Sequence, residues 1–344
     1  MIIEKIFEKN CKFISQTELD ADFIKRQFVK TETRDHIVIG EISLPTGKIR
    51  VGDPLAYMCT GDYTPELKRT VKSGIYPVEI AVSRTPVASV RISTARVKFS
   101  EKTAVRYELA EPTPETTAFK CSDGDLTGFP VDAGMMAFMD SDVMKEYAAF
   151  IDKWHKENPE DNHYDDYFKY LFAESYAKLP DYQRSGGDFI QWTIPGTAHS
   201  VVMLSSGFGD GFYQCYWGID ESVEICELTV PLVNSDIVDE ANKEFLDIWN
   251  GPEYCIVTKH IAEGGDIGYM CREEASENFE DSGWRFYGKN EDEEYWNNAD
   301  NYVIYSLHRL ADRFEKIIPL LKSPVDTAYF CTSNNEFIAD DFQE

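Results

Sequence analysis

Six aspartates stand at the ends of strand-like segments or in turns of this 344-residue chain: Asp53, Asp132, Asp140, Asp188, Asp210 and Asp220. Two carboxylates held face to face can perform acid–base hydrolysis on a water or a metal-bound water. Asp210 draws attention because it lies in GFGDGFYQCYWGIDE (207–221), which carries four glycines and three acids. A pocket built from Asp132, Asp188, Asp210 and Asp220, with Tyr216 and Trp217 as an aromatic platform, is the chemistry these residues could supply. The competing reading is structural, since aspartate beside glycine makes turns. Glycines 207, 209 and 211 suit a tight turn at positive φ. Trp217-Gly218 suits a bulge or bend.

Other chemistries find little support. A dinucleotide fingerprint would need glycine at 212, where Phe212 stands, and no Gly-Lys-Ser/Thr phosphate loop occurs. Asp123-Gly124-Asp125-Leu126-Thr127-Gly128 opens like a calcium loop, but its twelfth place is Gly134 rather than glutamate. The histidines show no HExxH and no zinc spacing with cysteine. Ser205-Ser206-Gly207 is not a nucleophile elbow. Eight cysteines are scattered without a CxxC pair and read as isolated, mostly buried thiols. No metal and no cofactor is expected.

The net charge is −27. Residues 241–344 hold 9 basic and 22 acidic side chains, a balance of −13, while the first 240 hold 25 and 39, a balance of −14. The C-terminal part is thus about twice as acidic per residue. Such a field repels nucleic acid and anionic membranes and favours a basic protein partner. Apolar runs such as IVIG (37–40) are too short for a membrane span. The start, MIIEKIFEKN, lacks the apolar core of a signal peptide. A cytoplasmic location is the expectation.

The elements that would position these residues follow from periodicity. Strands are predicted at 36–44 and 48–53 around the turn Pro45-Thr46-Gly47, and at 74–84, 88–100 and 104–110. Residues 141–179 turn helical, with Asp142 as a cap and Val143, Tyr147, Phe150, Ile151 and Trp154 on one face. Strands return over 188–194, 199–207, 212–220 and 223–233. A helix over 236–249 acts as linker, followed by Gly251-Pro252. Beyond it come strands at 253–261, 267–274 and 283–288, a helix near 302–316 and a last strand at 327–333. The fold class is α+β: a β-rich larger domain over 1–235 with a helical insertion at 141–179, then a small acidic α+β domain over 250–344.

In the smaller domain, YMCREEASENFEDSGWRFYGKNEDEEYWNNADN (269–301) sets aromatic residues beside acids. Asp281-Ser282-Gly283 would turn into a strand, and Trp284 and Phe286 would pack inward. Read instead as a partner-binding surface, the segment offers Arg272, Asp281, Trp284, Arg285, Glu291, Asp292, Glu293, Glu294 and Tyr295, with the acids steering and Trp284 or Tyr295 as anchors.

Both halves also carry family resemblances. VGDPL (51–55), SGIYPVEI (73–80), ASVRISTARVKF (88–99), VDAGMMAFMD (131–140), GDF (187–189) and GFGDGFYQCYWGID (207–220) resemble the bacterial domain-of-unknown-function family 4241. CIVTKHI (255–261), IGYMCREE (267–274), DSGWRFYGKNEDEEY (281–295) and IIPLLKSPVDTAYF (317–330) resemble domain-of-unknown-function family 2185, with Cys271 where that pattern expects an aromatic residue. The second family is similar to immunity proteins of bacterial polymorphic toxin systems, which act by binding. The resemblance implies a non-enzymatic binding protein, an immunity protein occluding a basic toxin domain. The alternative is a hydrolase or small-ligand binder using the aspartate-lined pocket of the larger domain.

Overall fold

The computed structural model describes residues 2–60, 64–85, 89–113, 120–121, 124–125 and 127–341. Asp123, on which the calcium-loop comparison rests, lies outside them. The fold is α+β, as the sequence predicts. The chain divides into two compact units, Phe7–Val238 and Asp239–Glu344 with Met1–Ile6. Helices α1 (Ile2–Ile14) and α5 (Ser235–Ile248) contain the two points of division, and α2 (Ala21–Gln27) precedes the first strand.

The larger unit contains fourteen strands among the described residues. They are β1 (Arg34–Leu44), β2 (Ile49–Gly52), β3 (Gly74–Thr85), β4 (Ser89–Lys98), β5 (Arg106–Leu109), β6 (Lys120–Cys121) and β7 (Gly124–Asp125), then β8 (Phe129–Val131), β9 (Met135–Asp140), β10 (Phe189–Thr193), β11 (Ser200–Ser205), β12 (Gly211–Tyr213), β13 (Tyr216–Ile219) and β14 (Ile225–Pro231). A six-stranded sheet runs β1-β3-β4-β14-β13-β5, and a four-stranded sheet runs β10-β11-β9-β2. Pairs β12-β8 and β6-β7 complete the set, and every ladder of the unit is antiparallel.

Side-chain alternation builds layers. Met136, Phe138, Val202 and Leu204 turn one face of the four-stranded sheet into the core shared with Val78, Ile80, Val97 and Leu228 of the six-stranded sheet. Met135, Ala137, Met139, Val201 and Met203 turn the other way, onto Val143, Tyr147 and Ile151 of α3 (Ser141–Glu157) and Phe172 of α4 (Lys169–Lys178). Strand β9 is therefore buried on both faces, which is why MMAFMD does not alternate. The helical insertion is the third layer, and it packs where the strand between the layers is apolar on both sides.

Two of the predicted turns are corners between sheets. Pro45-Thr46-Gly47 carries the chain from β1 to β2, which lie in different sheets. Asp140 holds that corner, accepting from the N–H groups of Thr46 (2.9 Å) and Gly47 (3.0 Å). Asp140 is also the N-cap of α3, accepting from Asp142 N, so the cap lies two residues before the one expected. Likewise 206–210 turns from β11 to β12, which pairs with β8 rather than with β11. The expected bulge at Trp217-Gly218 is present as a register shift between Gly218 and Ile219.

The smaller unit has one six-stranded sheet. Its strands are β15 (Tyr254–Thr258), β16 (Ile267–Arg272), β17 (Asp281–Gly288), β18 (Tyr302–Ser306), β19 (Thr327–Cys331) and β20 (Phe337–Asp340), in the order β18-β15-β17-β16-β19-β20. Strands β15 and β17 run parallel and the other pairs antiparallel. Short helices α6 (Lys259–Ala262), α7 (Glu293–Trp296) and α8 (Leu307–Arg313) connect them. Cys255, Val257, Met270, Trp284 and Phe286 face a core completed by Trp249, Ile261, Leu307, Leu310, Ile317 and Leu321. The expected helix over 302–316 is a strand followed by a two-turn helix. Asp281-Ser282-Gly283 lies inside β17, where Gly283 takes φ +80°.

Candidate functional site

In the larger unit the strongest local organiser is Asp53, which is fully buried. Its Oδ1 accepts from Leu55 N (2.9 Å) and Ala56 N (3.1 Å), capping the π-helical turn Pro54–Met58. Its Oδ2 accepts from Asp132 N (3.0 Å) and Ala133 N (2.7 Å), tying that turn to the loop before β9. One buried carboxylate thus accepts from four backbone N–H groups, the arrangement that makes a buried charge tolerable. Tyr147 of α3 adds a bond from its hydroxyl to Pro54 O at 2.9 Å. Across the same loop, Asp210 Oδ1 accepts from Gly134 N at 2.9 Å.

These contacts frame a cleft of about 460 Å³ lined by Leu55, Arg91, Gly134, His163, Asp188 and Gly209, among others. Five of the segments that carry the family 4241 resemblance reach it: 51–55, 88–99, 131–140, 187–189 and 207–220. Asp188 is buried and bound by Arg184, whose Nε and Nη2 donate to Oδ1 at 3.0 and 2.6 Å and whose backbone N donates to Oδ2 at 2.6 Å. Arg91 stands over the Phe208 ring at 5.7 Å. His163 Nδ1 lies 3.1 Å from His155 Nε2. Burial, then the neighbouring His155, pushes the His163 imidazole below its ordinary range, so it is neutral at neutral pH.

The six residues expected to form a pocket part company. Asp188 lines the cleft, and Asp132 and Asp210 lie exposed at its rim, next to Ala133, Gly134 and Gly209. Tyr216 and Trp217 are buried in β13, away from the cleft lining. Asp220 makes the turn after β13, accepting from Ser222 N and Glu224 N and pairing with Lys102 Nζ at 2.7 Å. Asp53, Asp140, Asp210 and Asp220 therefore each hold a turn or cap, and Asp188 is closed by an arginine. Arg91, His163 and Arg184 were not singled out from the sequence. They come from three separate segments, and only the folded chain brings them together. Among the described residues no three His, Cys, Asp or Glu side chains are grouped to hold a metal ion.

In the smaller unit the partner-surface residues divide by burial. Trp284 is fully buried, with its indole N–H donating to Leu321 O at 3.2 Å, so it is a core residue and not a surface anchor. Asp281 and Arg285 are buried together, with two guanidinium–carboxylate bonds of 2.9 and 2.8 Å. Burial alone would raise the Asp281 carboxyl, but the Arg285 fork and the N–H groups of Ser276 and Gly283 hold it below the usual range. Arg272 is half-buried, 5.2 Å from the Trp249 ring. Glu291 has no exposed side-chain surface. Its carboxylate accepts from Gly288 N (2.8 Å) and Trp296 Nε1 (2.9 Å) and lies 3.1 Å from His260 Nδ1. Asp292 caps α7 through Tyr295 N, Tyr295 stacks on His260 at 4.5 Å, and Asp292, Glu293 and Glu294 are exposed.

The sheet has a second face. Register places Ile304, Ile256, Arg285, Cys271, Ala328 and Asp340 in one row across it, and Tyr287, Tyr269, Phe330 and Ile338 in the next. Trp296 of α7 packs on Tyr287 (4.9 Å) and Tyr269 (6.2 Å). Ile304, Phe330 and Ile338 remain 56%, 44% and 48% exposed.

Comparison with known proteins agrees with both resemblances in kind. The family model described as "Protein of unknown function (DUF4241)" matches residues 42–230. The model described as "Immunity protein Imm33 domain" matches residues 255–341, so the C-terminal segment is matched under that description and not under family 2185 by name. No curated protein and no solved structure matches the chain. Among the described residues no helix is long and apolar enough to cross a membrane.

Proposed function

The chain belongs to the DUF4241 family, and from that premise, together with the immunity-type segment that follows, we propose that it is a non-enzymatic immunity protein that neutralises a toxin domain by covering it. The match of residues 255–341 to the Imm33 domain carries this reading. Charge gives it a direction: nine basic against 22 acidic residues over 241–344 favour a basic partner and a fast, salt-sensitive encounter. In the test, the tagged full chain is used to capture its partner from native cells, and the partner is identified by mass spectrometry. Expression of that partner alone should arrest growth, and co-expression of the chain should restore it. An arrest that the chain does not relieve sinks the reading.

A second reading draws on the cleft at Gly134, Asp188 and Gly209, where five family segments meet. It makes the larger unit a small-ligand binder. A thermal-shift screen of metabolites should then find a stabilising compound whose effect disappears in Arg184→Ala.

A further inference from the structure

We propose that the open face of the C-terminal sheet is where the toxin domain docks, and that the groove between Trp296 and Phe330 receives an arginine or lysine from it. This rests on the immunity reading above and places that activity on named residues.

Three observations carry it. The first is an apolar surface with no helical cover at its far edges. The helices and loops of the unit complete a core on the face of Trp284 and Phe286. The opposite face presents Ile304 on the β18 edge and Phe330 and Ile338 on β19 and β20, each about half exposed, with Tyr254 37% exposed at the end of β15. Six strands at about 4.8 Å spacing make the face about 24 Å wide and five residues make it about 16 Å long, and between its two exposed edges Arg285, Cys271 and Ala328 are buried. That is about half the footprint of a stable protein interface on one partner, so the contact must extend onto the surrounding rim.

The second is the charge of that rim. Glu274, Asp292, Glu293, Glu294 and Asp340 are exposed around the face, and Glu273 is 43% exposed beside Arg285. Burial pushes the Tyr269 hydroxyl up to about 12, and Cys271, Asp340 and Glu273 add to the shift. A second copy of this chain would bring a like-charged rim against this one, which costs free energy. A basic partner would not.

The third is the groove. It measures about 430 Å³ and is walled by Tyr269, Trp296 and Phe330, with Asp340 at its edge and Lys289 also in its lining, the Lys289 ammonium donating to Asn335 Oδ1. Glu291 fixes the Trp296 indole from behind, so the wall is held before a partner arrives. Aromatic faces beside an exposed carboxylate suit a guanidinium or ammonium group, which gains cation–π attraction and an ion pair at one site.

The experiment uses the full chain and the partner identified and purified as above. Phe330→Lys, Ile304→Lys and Asp340→Lys each change an exposed side chain, and circular dichroism checks their folding. Each should weaken binding by about tenfold or more. Asp340→Lys should also reduce the salt dependence of association. Tyr170→Lys, on a 65% exposed position of α4, serves as control and should bind like the native chain. If the native chain binds and the three face variants bind equally well, the docking surface lies elsewhere, and the immunity reading stands without it. If the native chain binds no toxin, both readings fall together. If the chain alone forms a dimer that Phe330→Lys dissociates, a second copy occupies the face and the proposed basic partner is overturned.

Discussion

At the residue scale, the aspartates show how one residue type serves several physical ends. Asp53 satisfies four backbone donors inside the protein, whereas Asp210 makes one bond at an exposed position. Asp53→Ala would remove all four charge-assisted bonds and untie the turn at Pro54 from the loop before β9. It should cost about 3 kcal/mol or more in urea unfolding, given the worth of a bond to a charged group, while Asp210→Asn should cost under about 1 kcal/mol. Glu253 gives a pH test. Burial, then the neighbouring Glu280, pushes its carboxyl up to about 7. The folded state thus holds a proton that the unfolded chain releases near pH 4.3. Stability should fall as pH rises from about 4.3 to about 7 and then level off. Glu253→Gln should remove that decline, read as the difference between the two unfolding midpoints across the range. The turn-making role of these aspartates was legible in their glycine and proline neighbours. That Asp53 reaches both Leu55 and Ala133 was not, because the second contact spans 80 residues.

At the element scale, legibility followed periodicity. VRISTARVK alternates and is β4, and the amphipathic stretch beginning at Ser141 is α3. Errors fell where the local pattern served a non-local purpose. The two glycine-bearing turns were legible as reversals but not as corners, because composition does not say which sheet receives the next strand. YVIYS (302–306) is β-branched and aromatic, yet it was absorbed into the helix that follows it. Strand β20 was missed because it is a short edge strand with one pairing partner. Gly218 tests the bulge in β13. A Cβ there would lie 2.5 Å from Glu227 Cγ and 3.0 Å from Ala104 Cβ. Glu227 cannot yield easily, since Arg96, Tyr107 and Thr229 all bond its carboxylate. Gly218→Ala should therefore lower stability by about 1–3 kcal/mol, measured by thermal or urea unfolding. A silent substitution would show that the bulge has room to relax.

At the scale of the whole molecule, the question is where one unit ends. Trp249 is 5% exposed in the core of the smaller unit, and its indole donates to Pro252 O at 2.8 Å. A fragment starting at residue 250 discards that side chain, whereas one starting at 239 keeps it. The longer fragment should unfold at higher urea, by about 3–5 kcal/mol if Trp249 behaves like other large core side chains. Equal stability would place the boundary at Gly251-Pro252. The two-part organisation was visible in the sequence through the acidic shift near 240 and the glycine–proline break. The exposed face of the smaller sheet was not, because burial rather than residue type separates Trp284 from Phe330.

Glu291 and its neighbours carry a consequence for descent. EDEE reads as one acidic block, yet its first residue is locked inside a hydrogen-bond hub, its second caps a helix, and the last two are exposed. Substitutions at Glu293 and Glu294 should therefore leave the scaffold beneath them fixed. Under the proposed immunity reading, that division separates partner choice from folding. The protein's preferences can drift by single substitutions, and none of those steps passes through an unfolded ancestor.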